Sequence, residues 1–351
     1  MTIARRDIAP EGVAGAYHCT ARCVRQAWLC GQDEVSGRNY DHRKDWIRER
    51  LAFLAMIFAL DVLGYAIMNN HLHTLLRTLP ELVRSWTDQE VVCRWLILFP
   101  SKRMRQTEES QPSGADIAAV LRQRGRVEVL RQRLSSLSWF MRCLDEYIAR
   151  RANREDGCKG RFWEGRFKCR ALADEAAVLT AMVYVDLNPI RAGLATTPEA
   201  SAYTSAQQRI AGQQTPPSVW NKTFAVEGSM TDWLCPLTDS TERQGVFRRL
   251  TLYEYLILLD TAGRVARPDK PGVIPRELAP IMERLGLEPA NWMEAVSGYE
   301  RYFRRFVGRP DTVATLAETA GRRWFHGIAA CRTLLNSPRS CGACPEASTI
   351  V

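Results

Sequence analysis

From Tyr17 to Val24 the chain alternates, with Tyr17, Cys19, Ala21 and Cys23 on one side and His18, Thr20, Arg22 and Val24 on the other. That period of two predicts a half-buried first strand. From Asp41 to about Leu60 the spacing becomes helical. Trp46, Ile47, Leu51, Leu54, Ile57 and Phe58 share a face behind the polar start Asp41-His42-Arg43-Lys44, as in an amphipathic helix packed on a sheet. Two apolar runs follow, Leu63–Met68 and His71–Arg77, separated by Asn69-Asn70. Asparagine tolerates positive φ, so this pair predicts a β-hairpin.

After Pro80 the pattern is helical through Trp86, Val91, Val92, Trp95, Leu96 and Leu98. It loosens into an expected loop over 101–115 and resumes as helix over 117–151. Over 161–170 alternation returns, with Trp163, Phe167 and Cys169 on one face and Arg166, Lys168 and Arg170 on the other, which predicts a strand with a basic open face. Asp174 is placed to cap a helix reaching Leu187, and Asn188-Pro189 ends it. These elements fit one mixed α/β domain over 12–205. Residues 206–240, rich in Gln, Pro, Thr and Ser, read as a linker region. Residues 241–335 read as a smaller helical domain and 336–351 as a disordered tail.

The chain has 351 residues, 46% of them apolar and 25% charged, which suits a soluble globular protein of about two domains. The apolar stretch from Leu51 to Tyr65 is broken by Asp61 and is too short for a bilayer span. The start of the chain has no secretory h-region, so a cytoplasmic location without membrane association is expected. Eleven cysteines at irregular spacing read as reduced, buried small apolar residues. Cys341 and Cys344, with His326 and Cys331 upstream, read as free groups because their spacing is irregular for zinc. The formal net charge of +9, with a pI near 9.1, favours an anionic partner, nucleic acid first.

Candidate chemistry concentrates in two places. His71 and His73 are two apart on a predicted strand, so both imidazoles project to one face and can share a metal ion. Tyr184 and Asn188 are four apart on a predicted helix and share a face. Tyr184 there is either a nucleophile or a half-buried core residue, and Asn188 can offer a carbonyl-oxygen ligand. Between Arg142 and Arg170 there are nine Lys or Arg against five acidic residues. Arg161, Arg166, Lys168 and Arg170 are therefore candidate phosphate contacts, and Phe162 or Trp163 a candidate base-stacking platform. Arginines 301, 304, 305, 309, 322 and 323 read as solvated helix charge. No Walker-type glycine loop is present.

The run Tyr65-Ala66-Ile67-Met68-Asn69-Asn70-His71-Leu72-His73 resembles the His-hydrophobe-His (HUH) signature of single-tyrosine transposases. Tyr184-Val185-Asp186-Leu187-Asn188-Pro189-Ile190-Arg191-Ala192-Gly193 resembles their Tyr-x-x-x-Asn-Pro-[Val/Ile]-Arg-Ala-Gly segment. Residues 17–22 and the Phe162-Trp163-x-x-Arg166-Phe167-Lys168 run also look family-like. The similarity covers about 12–205 and is closest to the REP-associated tyrosine transposases.

The resemblance implies an α+β fold. This is a ferredoxin-like (RRM-like) antiparallel sheet with helices on one face, the histidine pair on a central strand, the tyrosine helix packed across the sheet, and a smaller C-terminal helical domain outside the match. It implies a transposase or endonuclease that cuts and rejoins single-stranded or hairpin, REP-like DNA through a 5′-phosphotyrosine. Tyr184 matches the nucleophile, His71, His73 and Asn188 the ligands of Mg²⁺ or Mn²⁺, and Arg191 lies in the matching Asn-Pro-Ile-Arg-Ala-Gly segment as a DNA contact. A nucleoid-associated enzyme is expected, acting as a homodimer as in many such transposases or as a monomer as in REP-associated members. Two alternatives remain open: a non-cleaving protein that recognises palindromic DNA, and a phosphodiesterase using water at the same histidines.

Overall fold

The computed structural model describes residues 5–24, 29–33, 37–212, 233–238, 244–265, 288–321, 325 and 327–335. Strand β1 (Gly15–Arg22) leads into helix α1 (His42–Ile57), then β2 (Leu60–Ile67) and β3 (His71–Thr78). After a helical excursion come α2 (Leu137–Glu155), β4 (Lys168–Leu172) and α3 (Glu175–Asp186). Further on lie α4 (Leu252–Val265), α5 (Pro289–Ser297) and β5 (Phe306–Val307). The strands form one sheet in the order β2-β3-β1-β4-β5. Neighbours are antiparallel except β4 and β5, which are parallel. The first four strands with α1 and α2 make the expected ferredoxin-like arrangement.

The two faces carry different layers. On β3, Leu72, Thr74 and Leu76 point one way and His71, His73 and Leu75 the other. Thr74 Oγ1 reaches Met141 Sδ at 3.7 Å, which sets α2 on the first face, where it packs with α1. The two crossover helices thus share one face, and α3 covers the opposite one, lying across β2, β3 and β4. Every residue of β2 is buried, as expected for a strand sandwiched between layers. Continuous burial erases alternation, and for that reason the sequence pattern runs the preceding helix on to Leu60, whereas it stops at Ile57.

Three other expectations change. The helix expected over 117–151 is three helices, Gly114–Leu121, Arg126–Leu134 and Leu137–Glu155. Gly125, with φ 72°, and Ser136, whose side chain accepts from Trp139 N, are the breaks. The expected loop over 101–115 contains a helix, Lys102–Thr107, capped by Ser101. The strand expected over 161–170 begins only at Lys168. Ahead of it Trp163 makes an isolated bridge with Cys23, and its indole N–H donates to the Asp145 carbonyl at 2.8 Å.

The later residues return to the same core. Ser205–Gly212 is a helix beside β2: Tyr65 N donates to Ser205 Oγ at 3.2 Å and Tyr65 OH to Gln208 Oε1 at 2.6 Å. Tyr255 of α4 and Trp292 of α5 donate to Asp186 Oδ2 (2.6 Å) and Thr180 Oγ1 (3.0 Å) of α3. Seven of the nine described cysteines are buried. Cys341, Cys344 and His326 lie outside the described residues. Among the described residues no helix is long and apolar enough to cross a membrane.

Candidate functional site

Antiparallel register brings the chemistry together. Thr20 pairs with His73 and Arg22 with His71 across β1 and β3, while His18 pairs with Arg170 across β1 and β4. Because side chains alternate, all of these line one face at the sheet's centre. The hairpin turn is Asn69-Asn70 as expected, closed by Met68 N donating to His71 O at 2.9 Å. Neither asparagine has positive φ. Their carbonyls instead accept from Cys30 N and Cys23 N, at 2.9 and 3.0 Å, so the loop after β1 holds the turn.

His71 Nδ1 meets Asn70 Oδ1 at 2.6 Å. An amide oxygen only accepts, so Nδ1 carries the proton and the neutral ring keeps its lone pair on Nε2. The His71 and His73 centroids are 4.7 Å apart. His73 is 2% exposed, and its Nδ1 lies 2.8 Å from His18 Nε2. Its Nε2 is buried with no hydrogen-bond partner. Burial holds all three imidazoles neutral. It pushes His71 down to about 4, with Arg22 adding to the effect, and His18 and His73 well below the usual histidine value.

Helix α3 is capped by Asp174, which accepts from Ala177 N at 2.8 Å, and is buried from Ala176 to Asp186. It lays the Tyr184 ring edge-on to His73, with centroids 5.8 Å apart and planes at 88°. Asn188 donates through Nδ2 to the Tyr184 carbonyl at 3.0 Å, which leaves its Oδ1 available. Pro189 does not stop the chain turning, since Asn188–Arg191 forms a further helical turn.

Four site residues escaped the sequence reading as participants: His18, Thr20, Tyr299 and Glu300. The first two were visible on the polar side of β1, but only the register joins them to His73. The turn Tyr299–Tyr302 is far off in sequence and carries no local signal. Tyr299 stacks on Tyr184 at 4.5 Å and 21°. Glu300 accepts from Tyr184 OH at 3.3 Å and from Arg170 through both carboxylate oxygens. Tyr184 is consequently 9% exposed. Its phenol is pushed up to about 12, first by burial and then by the Glu300 carboxylate, against the opposing influence of Asn188, Arg170 and Arg191.

The expected DNA contacts separate into three groups. Arg161, Arg166 and Lys168 are exposed. Arg170 and Arg191 sit at the tyrosine: Arg191 donates to the Val296 carbonyl at 3.2 Å, with its guanidinium 5.6 Å from the Tyr184 ring centroid. Phe162 and Trp163 are 2% and 8% exposed and lie edge to face with each other. Both belong to the core, so neither presents the stacking face expected of them.

A divalent ion here would be held by Nε2 of His71, Nε2 of His73 and Oδ1 of Asn188. The partnerless His73 Nε2 and the lone pair left on His71 Nε2 fit that use. Among the described residues no three His, Cys, Asp or Glu side chains converge on a metal position.

No protein-family model and no curated protein matches the chain. A solved structure of a REP-associated tyrosine transposase bound to a REP hairpin is similar over 72% of this chain and 100% of that one, at 13% identity and a TM-score of 0.36. A likeness of that size leaves the functional reading to the residues themselves.

Proposed function

We propose that this chain is a transposase-type endonuclease that cleaves and rejoins single-stranded or hairpin DNA through a phosphotyrosine. The observation that carries the reading is the placement of the Tyr184 ring edge-on to His73, whose ring in turn lies 4.7 Å from that of His71, at the centre of the sheet. A Mg²⁺ or Mn²⁺ bound by His71, His73 and Asn188 would polarise the scissile phosphate and stabilise the leaving oxygen. The Tyr184 oxygen attacks phosphorus and the P–O3′ bond breaks. The products are a 5′-phosphotyrosyl enzyme and a 3′-oxygen that takes up a proton. Glu300 Oε1, 3.3 Å from the phenol, is the nearest acceptor for the proton that Tyr184 gives up. Arg191, beside the Tyr184 ring, and Arg170, which shares Glu300 with the phenol, are the cations suited to the phosphate.

One feature favours the non-cleaving alternative. Tyr184 is covered by Tyr299 and Glu300, so DNA reaches it only if that turn moves.

The test incubates the wild type and Tyr184→Phe with labelled hairpin DNA, with Mn²⁺ or with EDTA, followed by denaturing electrophoresis. The expected result is a protein–DNA adduct that requires both metal and Tyr184. Cleavage by Tyr184→Phe without adduct would replace this reading with a water-using phosphodiesterase, and binding without cleavage with a recognition protein.

A further inference from the structure

Three histidines, not two, cluster on the sheet face. His18 is 1% exposed, and its ring centroid lies 5.0 Å from that of His73 and 6.0 Å from that of Tyr184. It is unsuited to be a third ligand beside His71 and His73. Its Nε2 is turned to His73 Nδ1 at 2.8 Å, and the three rings do not converge on one metal position.

The 2.8 Å contact joins two neutral rings, so one proton lies between them and two arrangements are available. If His18 Nε2 carries it, His73 must bear its own proton on Nε2, a buried N–H with no acceptor. If His73 Nδ1 carries it, the partnerless His73 Nε2 keeps a lone pair, on a ring whose centroid is 4.7 Å from that of His71. Thr20 Oγ1, 3.3 Å from His73 Nδ1, is a second acceptor for the same proton. Arg170 acts the other way, because it can only donate and its Nη1 is 3.5 Å from His18 Nδ1. That distance is at the outer limit of a hydrogen bond. Arg170 makes its closer contacts to Glu300 Oε1 at 2.9 Å and to the Arg304 carbonyl at 3.1 Å.

We propose that His18 is a positioning residue for His73: its Nε2 accepts the His73 Nδ1 proton and thereby fixes the His73 Nε2 lone pair toward a divalent ion. The inference rests on the metal-dependent reading above and deepens it by naming the outer partner that sets the tautomer and orientation of one ligand. Such partners typically change metal affinity by about 10–100-fold when lost.

The test measures Mn²⁺ affinity of the DNA-free full chain by electron paramagnetic resonance, for the wild type, His18→Leu and His18→Gln, with circular dichroism as the check on folding. Leucine removes the acceptor, whereas the glutamine amide oxygen restores one. Expected is a loss of about 10–100-fold in His18→Leu and near wild-type binding in His18→Gln. Unchanged binding in His18→Leu, or equal loss in both variants, overturns the role of His18 while the metal reading stands. No Mn²⁺ binding by the wild type overturns the metal reading itself, and the inference with it.

Discussion

The hydroxyl of Tyr184 donates to Oε1 of Glu300 at 3.3 Å, joining residues 116 positions apart in sequence. The same carboxylate receives Arg170, which otherwise faces the histidine cluster through His18. One acidic side chain therefore engages both the candidate nucleophile and the cation best placed to hold a phosphate.

A pH dependence follows. A carboxylate beside a phenol disfavours the phenolate, so Glu300 adds to the burial that pushes Tyr184 up to about 12. Glu300→Gln removes that negative charge and releases Arg170, and both changes favour the ionised phenol. The Tyr184 pKa is expected to fall from about 12 toward the ordinary value of about 10. Burial persists in the variant and keeps the value above the ordinary one. The measurement is the tyrosinate absorbance titration, with a Tyr184→Phe counterpart in each background to isolate this residue. An unchanged or higher midpoint would mean that Glu300 does not act on Tyr184.

The run over 161–168 separates surface charge from core packing. Arg161→Ala, Arg166→Ala and Lys168→Ala each remove an exposed cation. If the cation contacts a phosphate, the slope of log affinity against log salt for single-stranded DNA falls by about 0.7 per residue. Thermal stability stays within about 0.5 kcal/mol. Phe162→Ala and Trp163→Ala are expected to do the reverse: each costs about 3–5 kcal/mol of stability, and the folded fraction keeps its salt slope. Salt-dependent binding together with urea unfolding of the same variants decides the assignment.

What the sequence pattern conveys here depends on burial. The hairpin of β2 and β3 and the cap of α3 were legible because turn residues and the Asp174 cap act locally. His71 and His73 were legible as a pair because a strand's period of two puts both on one face. The same period placed Trp163 opposite Arg166 but could not say that the segment leaves the sheet before Lys168, since that depends on the indole reaching Asp145 O and on the bridge to Cys23. His18, Tyr299 and Glu300 join the site only through register and long-range packing, which no local window contains. Asn188 had a local signal as a helix terminator, and the chain nonetheless continues through a further turn because proline is compatible with the first positions of a helix.

One tie between the C-terminal residues and the sheet domain is polar and buried. Asp186 is wholly buried at the end of α3 and accepts from Ser205 Oγ at 2.7 Å, Ala206 N at 3.1 Å and Tyr255 OH at 2.6 Å. Burial raises its pKa, and those three donors oppose the rise. Tyr255→Phe deletes one donor from a carboxylate that water does not reach, so it is expected to cost about 1–3 kcal/mol. If α4 belongs to the same cooperative unit as the sheet, urea unfolding shows one transition, and the variant shifts its midpoint without changing its slope. Two transitions, with the substitution moving only one of them, would instead make residues 241–335 a separately folding domain and reduce the Asp186–Tyr255 bond to a contact between two units.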